Sequence, residues 1–145
     1  MTQGLPNSDQ LAAMLLEAAE TAERLQANYF EAWNASRTAR VNRDLRHDET
    51  VAAAYAEGVD GKNAEQRAAQ LAIVVMNSQS LTRAEADLRA ADSDVKRIEG
   101  LLEAAKTYRS ALHDLVALRC AELGVEAATG RRAIAQGTDW RTLPH

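Results

Sequence analysis

The sequence predicts an all-α protein: an antiparallel hairpin of long, coiled-coil-like helices with short C-terminal helices, completed by oligomerisation. Three observations carry this. The only two prolines, Pro6 and Pro144, stand near the ends of the sequence, so nothing between them removes a helical hydrogen bond or forces a kink. Apolar residues recur in alternating steps of four and three along two long stretches, the spacing of helices that pair with other helices. Aromatic residues make up only 4% of the chain, which leaves Ala and Leu to build the interior, and such small side chains favour close helix-on-helix packing. One helical domain spanning 1–145 follows, with helices over about 8–56, 64–77 and 81–123, a turn at 57–63 and a short helical tail at 124–145.

Asn7 or Ser8 can cap the first helix, with Pro6 just outside it. Leu11, Leu15, Ala18, Ala22, Leu25, Tyr29, Ala32, Ser36 and Ala39 then form a seam that fades at Arg43. Around "RHDET" the sequence favours a break, because Asp48 can cap a restarted helix. "EGVDGKN" (57–63) is the clearest corner. Gly58 and Gly61 permit positive φ, Asp60-Gly61 is a turn dipeptide, and Asn63 followed by Gln66 makes a capping-box pattern. It is no phosphate loop, since GxxxxGK[ST] is absent and no hydrophobic strand precedes the glycines. "NSQS" (77–80) interrupts the next helix, with Ser80 as cap. In the longest helix, Leu81, Leu88, Val95 and Leu102 repeat every seven residues, with Ala84, Ala91, Ile98 and Ala105 between them. Past Ile98 the stripe is expected to drift to Leu101, Tyr108, Leu112 and Leu115, as on a straight helix of 3.6 residues per turn. Gly124 is expected to end it, and the tail, carrying Gly130 and Gly137, to hold one or two short helices.

A lone hairpin leaves one side of each stripe wet. A homo-oligomer is therefore expected, with Leu11, Leu15, Leu25, Tyr29, Leu88, Val95, Leu102 and Leu112 as candidate interface residues.

The formal net charge of −4 gives no global attraction to nucleic acid or anionic lipid. The charge is uneven, though. In "RTARVNRDLR" (37–46) four arginines, Arg37, Arg40, Arg43 and Arg46, stand against Asp44, giving +3, while residues 1–36 and 47–60 each carry −4. Just upstream, "NYFEAWN" supplies Tyr29, Phe30 and Trp33. Arginines beside stacking rings are what a single-strand binder needs, because every base has a π-face and every nucleotide a phosphate. Trp33 and the four arginines, with Lys62 and Arg67 across the turn, are the nucleic-acid candidates. The competing reading is a solvated helix face, with Tyr29 on the seam and Trp33 packed beside it.

Other chemistry finds little support. His47-Asp48 and His113-Asp114 are adjacent pairs that diverge on a helix, unlike the convergent ligands a metal needs. Arg119 stands beside Cys120, but no base accompanies the thiol. No enzyme, cofactor, metal or small-molecule substrate is expected. The single cysteine excludes an internal disulfide and points to a reducing compartment. The N-terminal residues lack a signal-peptide pattern and "LAIVVM" (71–76) is too short to span a bilayer, so a soluble cytoplasmic protein is expected.

The stretch "LRAADSDVKRIEGLLEAAKTYRSALHDLVALR" (88–119), with its acidic D-x-D-V, Leu-spaced helix and basic helical end, resembles the later part of UvsY-like phage recombination mediator proteins. The order of parts is also similar: an amphipathic helix with a Trp, a basic middle, a Gly/Asp turn, a long helix and a short Arg-containing tail ("TGRRAI"). "VDGKNAEQRAAQLA" followed by "LTRAEADLRAADSDV" looks like small helical accessory proteins of phage recombination regions. The likeness covers about half the chain. It implies a non-enzymatic oligomer that binds single-stranded DNA and helps load a recombinase onto strands coated with single-strand binding protein. Two other readings compete. A protein-interaction module, such as a phage inhibitor of a host defence protein, would use the acids Glu17, Glu20, Glu23 and Glu31 on a basic target. A structural coiled-coil spacer would do neither.

Overall fold

The computed structural model describes backbone for residues 4–135 and side chains through Arg131, and these are all-α: helices α1 (Ser8–Glu57), α2 (Ala64–Asn77) and α3 (Gln79–Ala135), with no strand among them. The chain divides into two compact units. Unit 1 joins the start of α1, through Glu23, to α3 from Glu103 onward; unit 2 is Arg24–Leu102.

In unit 2, α1 and α3 pair antiparallel. Tyr29 meets Glu99, Ser36 meets Asp92 and Thr50 meets Ser78, and in each pair the residue numbers add to 128. A constant sum is the signature of one unslipped antiparallel register. Ala32, Ala54, Leu81, Ala84 and Ile98 are buried along this seam, together with the hydroxyl-bearing Ser36. The Ser36 hydroxyl donates to Asp92 Oδ1, so the one buried polar side chain among the described residues is satisfied across the helix pair, and a polar group at a seam position fixes register.

α1 begins with a reciprocal cap: Gln10 N–H donates to Asn7 Oδ1 at 2.8 Å and Asn7 N–H to Gln10 Oε1 at 2.9 Å. It does not break at "RHDET". Without Pro or Gly there the backbone ladder runs on, Thr50 Oγ1 bonds back to Arg46 O at 2.7 Å and Arg46 pairs with Glu49. Nor does the seam fade at Arg43, for Thr50 is half-buried and Ala54 closed.

The corner is knitted by the first turns of α2. Gln66 N–H donates to Asn63 Oδ1, Lys62 N–H to Gln66 Oε1, Gly61 N–H to Gln70 Oε1, and the Arg67 guanidinium to Gly61 O. The two glycines serve different needs. Gly58 has φ +101°, while at Gly61 a Cβ would stand 2.6 Å from Arg67 N. Gly61→Ala is therefore expected to destabilise by about 1–3 kcal/mol, as overpacking against backbone does, measured by urea unfolding.

α3 differs from expectation at three points. Ser78, not Ser80, caps it, its hydroxyl accepting from Leu81 N–H. Gly124 does not end it, because a glycine stop needs a left-handed residue and Gly58 alone has positive φ among the described residues. The helix instead continues to Ala135, so the expected short helices of 124–135 are part of α3, and 136–145 lie outside the described residues. Finally, the stripe drifts only in part: Leu112 is closed and Leu115 half-buried as expected, and Arg109, the next seventh residue after Leu102, is exposed. Leu101 and Tyr108 are exposed, while Leu102 and Ala105 are half-buried and Leu112 is closed. A seven-residue repeat stays on its partner when paired helices wrap around each other, which a straight helix would not allow.

The eight expected interface residues line seams formed within one chain. In unit 1 Leu11 and Leu112 are closed and Leu15 half-buried; in unit 2 Leu25, Tyr29, Leu88, Val95 and Leu102 are half-buried.

Candidate nucleic-acid interface

The structure separates the arginine row. A step of three residues turns the helix by about 60° short of a full circle, so Arg37 and Arg46, nine residues apart, lie on roughly opposite sides of α1. Three of the four have carboxylate partners. Arg40 lies 3.7 Å from Asp92 of α3, Arg46 2.7 Å from Glu49, and Arg43 Nε 3.0 Å from Asp44. Arg43 is half-buried, and its Nε makes no well-angled hydrogen bond despite that short distance, so the pair is electrostatic only. These pairs are largely solvated, and such pairs hold by well under about 1 kcal/mol. Across the turn, Arg67 is engaged with Gly61 O, and Lys62 contributes its backbone N–H to the corner. The six cations therefore do not form one continuous phosphate track.

Arg37 is different. Its guanidinium carbon sits 5.8 Å from the centroid of the Trp33 ring, within cation–π range, and it joins no ion pair among the described residues. Residues four apart share a helix face, which is why the contact forms. Phe30, one turn earlier, lies on the same strip and meets Tyr29 edge-on with centroids 6.1 Å apart. Both large rings are open to solvent, Phe30 at 56% and Trp33 at 45%. Phe30, Trp33 and Arg37 thus share one exposed strip of α1, a platform of two rings and one guanidinium in which Arg37 lies over Trp33. The i, i+3, i+7 spacing of these residues was the signal available in the sequence.

A groove of about 320 Å³ on another face of α1, lined by Asn28, Glu31, Ala35, Asp94, Arg97 and Ile98, carries two carboxylates to one guanidinium and is unsuited to phosphate. The acidic stretch of the recombination-mediator resemblance also has internal partners: Asp92 accepts from Ser36 and faces Arg40, and Asp94 takes two hydrogen bonds from Arg97. Among the described residues no three His, Cys, Asp or Glu side chains converge as metal ligands, and no helix is long and apolar enough to cross a membrane.

In comparisons with known proteins, no family model, curated protein or solved structure matches the chain.

Proposed function

We propose that the chain is a non-enzymatic, oligomeric accessory protein that binds single-stranded DNA and assists homologous recombination, by helping to load a recombinase or by handling strands beside single-strand binding protein. The observation that carries the DNA-binding part is the exposed Phe30–Trp33–Arg37 platform. Unstacked bases, present only in single strands, have faces free for Trp33 and Phe30, and a planar guanidinium can both stack and reach a phosphate. The recombination role rests on the resemblance of residues 88–119 to mediator proteins.

Oligomerisation suits the same reading. Among the described residues eight apolar side chains are buried, four of them alanines, so a second copy would add core that one chain lacks. Several copies would also set several platforms along one strand, raising avidity without new contacts and offsetting the −4 charge of each chain.

Fluorescence anisotropy of labelled oligo-dT, titrated at a series of salt concentrations, tests this. Binding is expected at low salt. One or two phosphate contacts per site give a slope of log K against log salt near −0.7 to −1.4. Absence of binding at low salt overturns the proposal. It would favour the protein-partner reading instead, in which Glu17, Glu20, Glu23 and Glu31 meet a basic target.

A further inference from the structure

We propose that Lys96 of α3 is a second phosphate contact beside Arg37, holding the backbone of the strand whose bases stack on Phe30 and Trp33; this rests on the single-strand reading and extends its site to a second helix.

The antiparallel register decides which part of α3 stands beside the platform. Paired residue numbers add to 128, so residues 98 down to 91 lie level with Phe30 through Arg37. That stretch, "ADSDVKRI", holds two cations, Lys96 and Arg97. Lys96 is level with Ala32, next to Trp33.

Adjacent residues on a helix point about 100° apart, and these two cations fall on opposite flanks of the seam. Arg40 lies three residues after Arg37, on the platform's flank of α1, and it faces Asp92 at 3.7 Å. Asp92 therefore marks the matching flank of α3, and Lys96, four residues on, shares its strip. Arg97 instead borders the groove on the other face, with Asn28, Glu31 and Asp94. Arg89, three residues before Asp92, shares the Lys96 strip but is level with Ala39, past the end of the platform.

Lys96 is exposed and joins no ion pair among the described residues. The acids around it have other partners: Asp92 has Ser36 and Arg40, Asp94 has Arg97, and Glu99 accepts from the Tyr29 hydroxyl at 3.4 Å. Packed helix axes lie about 8–10 Å apart, so a cation on this flank stands beside the rings. The two cations divide the work. Arg37 lies over Trp33, while the flexible stem of Lys96 lets a point charge follow a phosphate.

Lys96→Gln and Arg97→Gln each remove one positive charge at an exposed position, one from either flank. Oligo-dT anisotropy is measured for both and for the unmodified chain across a salt series. Lys96→Gln is expected to flatten the slope of log K against log salt by about 0.7, the share of one phosphate on a single strand. Affinity at low salt should fall roughly 2- to 5-fold, as for loss of an exposed ion pair. Arg97→Gln should leave the slope unchanged, and Lys96→Arg should keep it. An unchanged slope in Lys96→Gln overturns the proposal and leaves the DNA reading standing. Equal flattening by Arg97→Gln also overturns it, since net charge and not position would then carry the effect. No binding by the unmodified chain at low salt removes the DNA reading and this contact together.

Discussion

Leu112→Ala is expected to destabilise the protein by about 2–5 kcal/mol, the range for emptying a closed leucine site, and to lower Tm by on the order of 10 °C for a chain of this size. Leu112 is 1% exposed, the one large side chain below 2% among the described residues. It belongs to unit 1, where Leu11 and Ala18 are the other closed hydrophobic side chains among the described residues. A seam this thin has no spare volume with which to fill the space a lost isobutyl group leaves. Leu101→Ala is the informative comparison. Leu101 is 44% exposed, and its truncation should change stability by no more than about 0.5 kcal/mol. Thermal unfolding of both variants reads the register directly. Equal losses would mean that α3 turns Leu101 and Tyr108 inward, as a straight 3.6-residue helix would.

The second large effect is expected on DNA. Trp33→Ala should remove about 1–3 kcal/mol, the worth of one base stacked on an aromatic ring, which weakens oligo-dT binding by roughly 5- to 150-fold. Arg37→Glu should act at least as strongly, because it deletes the stacking plane and repels the phosphate it replaces. Arg37→Lys should recover only part of the loss, since an ammonium keeps the charge but not the planar fork. Arg46→Glu should leave the affinity near that of the unmodified chain, for Arg46 lies on the far side of α1 and already faces Glu49. Anisotropy titrations of the four variants at one salt concentration check the pattern. Equal losses from all the arginine variants would show a diffuse basic surface instead of a platform.

What could be read from the sequence, and what could not, divides along local and distant interactions. Helix identity, the Asn7 and Asn63 caps and the corner at Gly58 and Gly61 depend on residues within one or two turns, and the sequence displays them. The break expected at "RHDET" failed because a good capping residue such as Asp48 is only an option, one that an uninterrupted hydrogen-bond ladder overrides. The drift expected after Ile98 held at Leu112 and Leu115 but not at Leu101 and Tyr108, for a related reason: whether a helix keeps a 3.5-residue period depends on its partner, not on itself. The arginine row shows the same limit at the candidate site. Its spacing was visible, but Asp92 stands 52 residues from Arg40 and 56 from Ser36, and no local pattern ties them together. Of the site, only the Phe30–Trp33–Arg37 strip is a local arrangement, and one helix face suffices to bring it together.

The platform is tested most directly through Trp33 itself. In a Trp140→Phe chain, Trp33 is the only indole, and its emission can be followed as oligo-dT is added at low salt. Stacking of a base on the ring should quench that emission in step with the anisotropy change, and the quench should be lost in Arg37→Glu. Binding that leaves Trp33 emission unaltered would place the DNA elsewhere on the protein and contradict the assignment of this site.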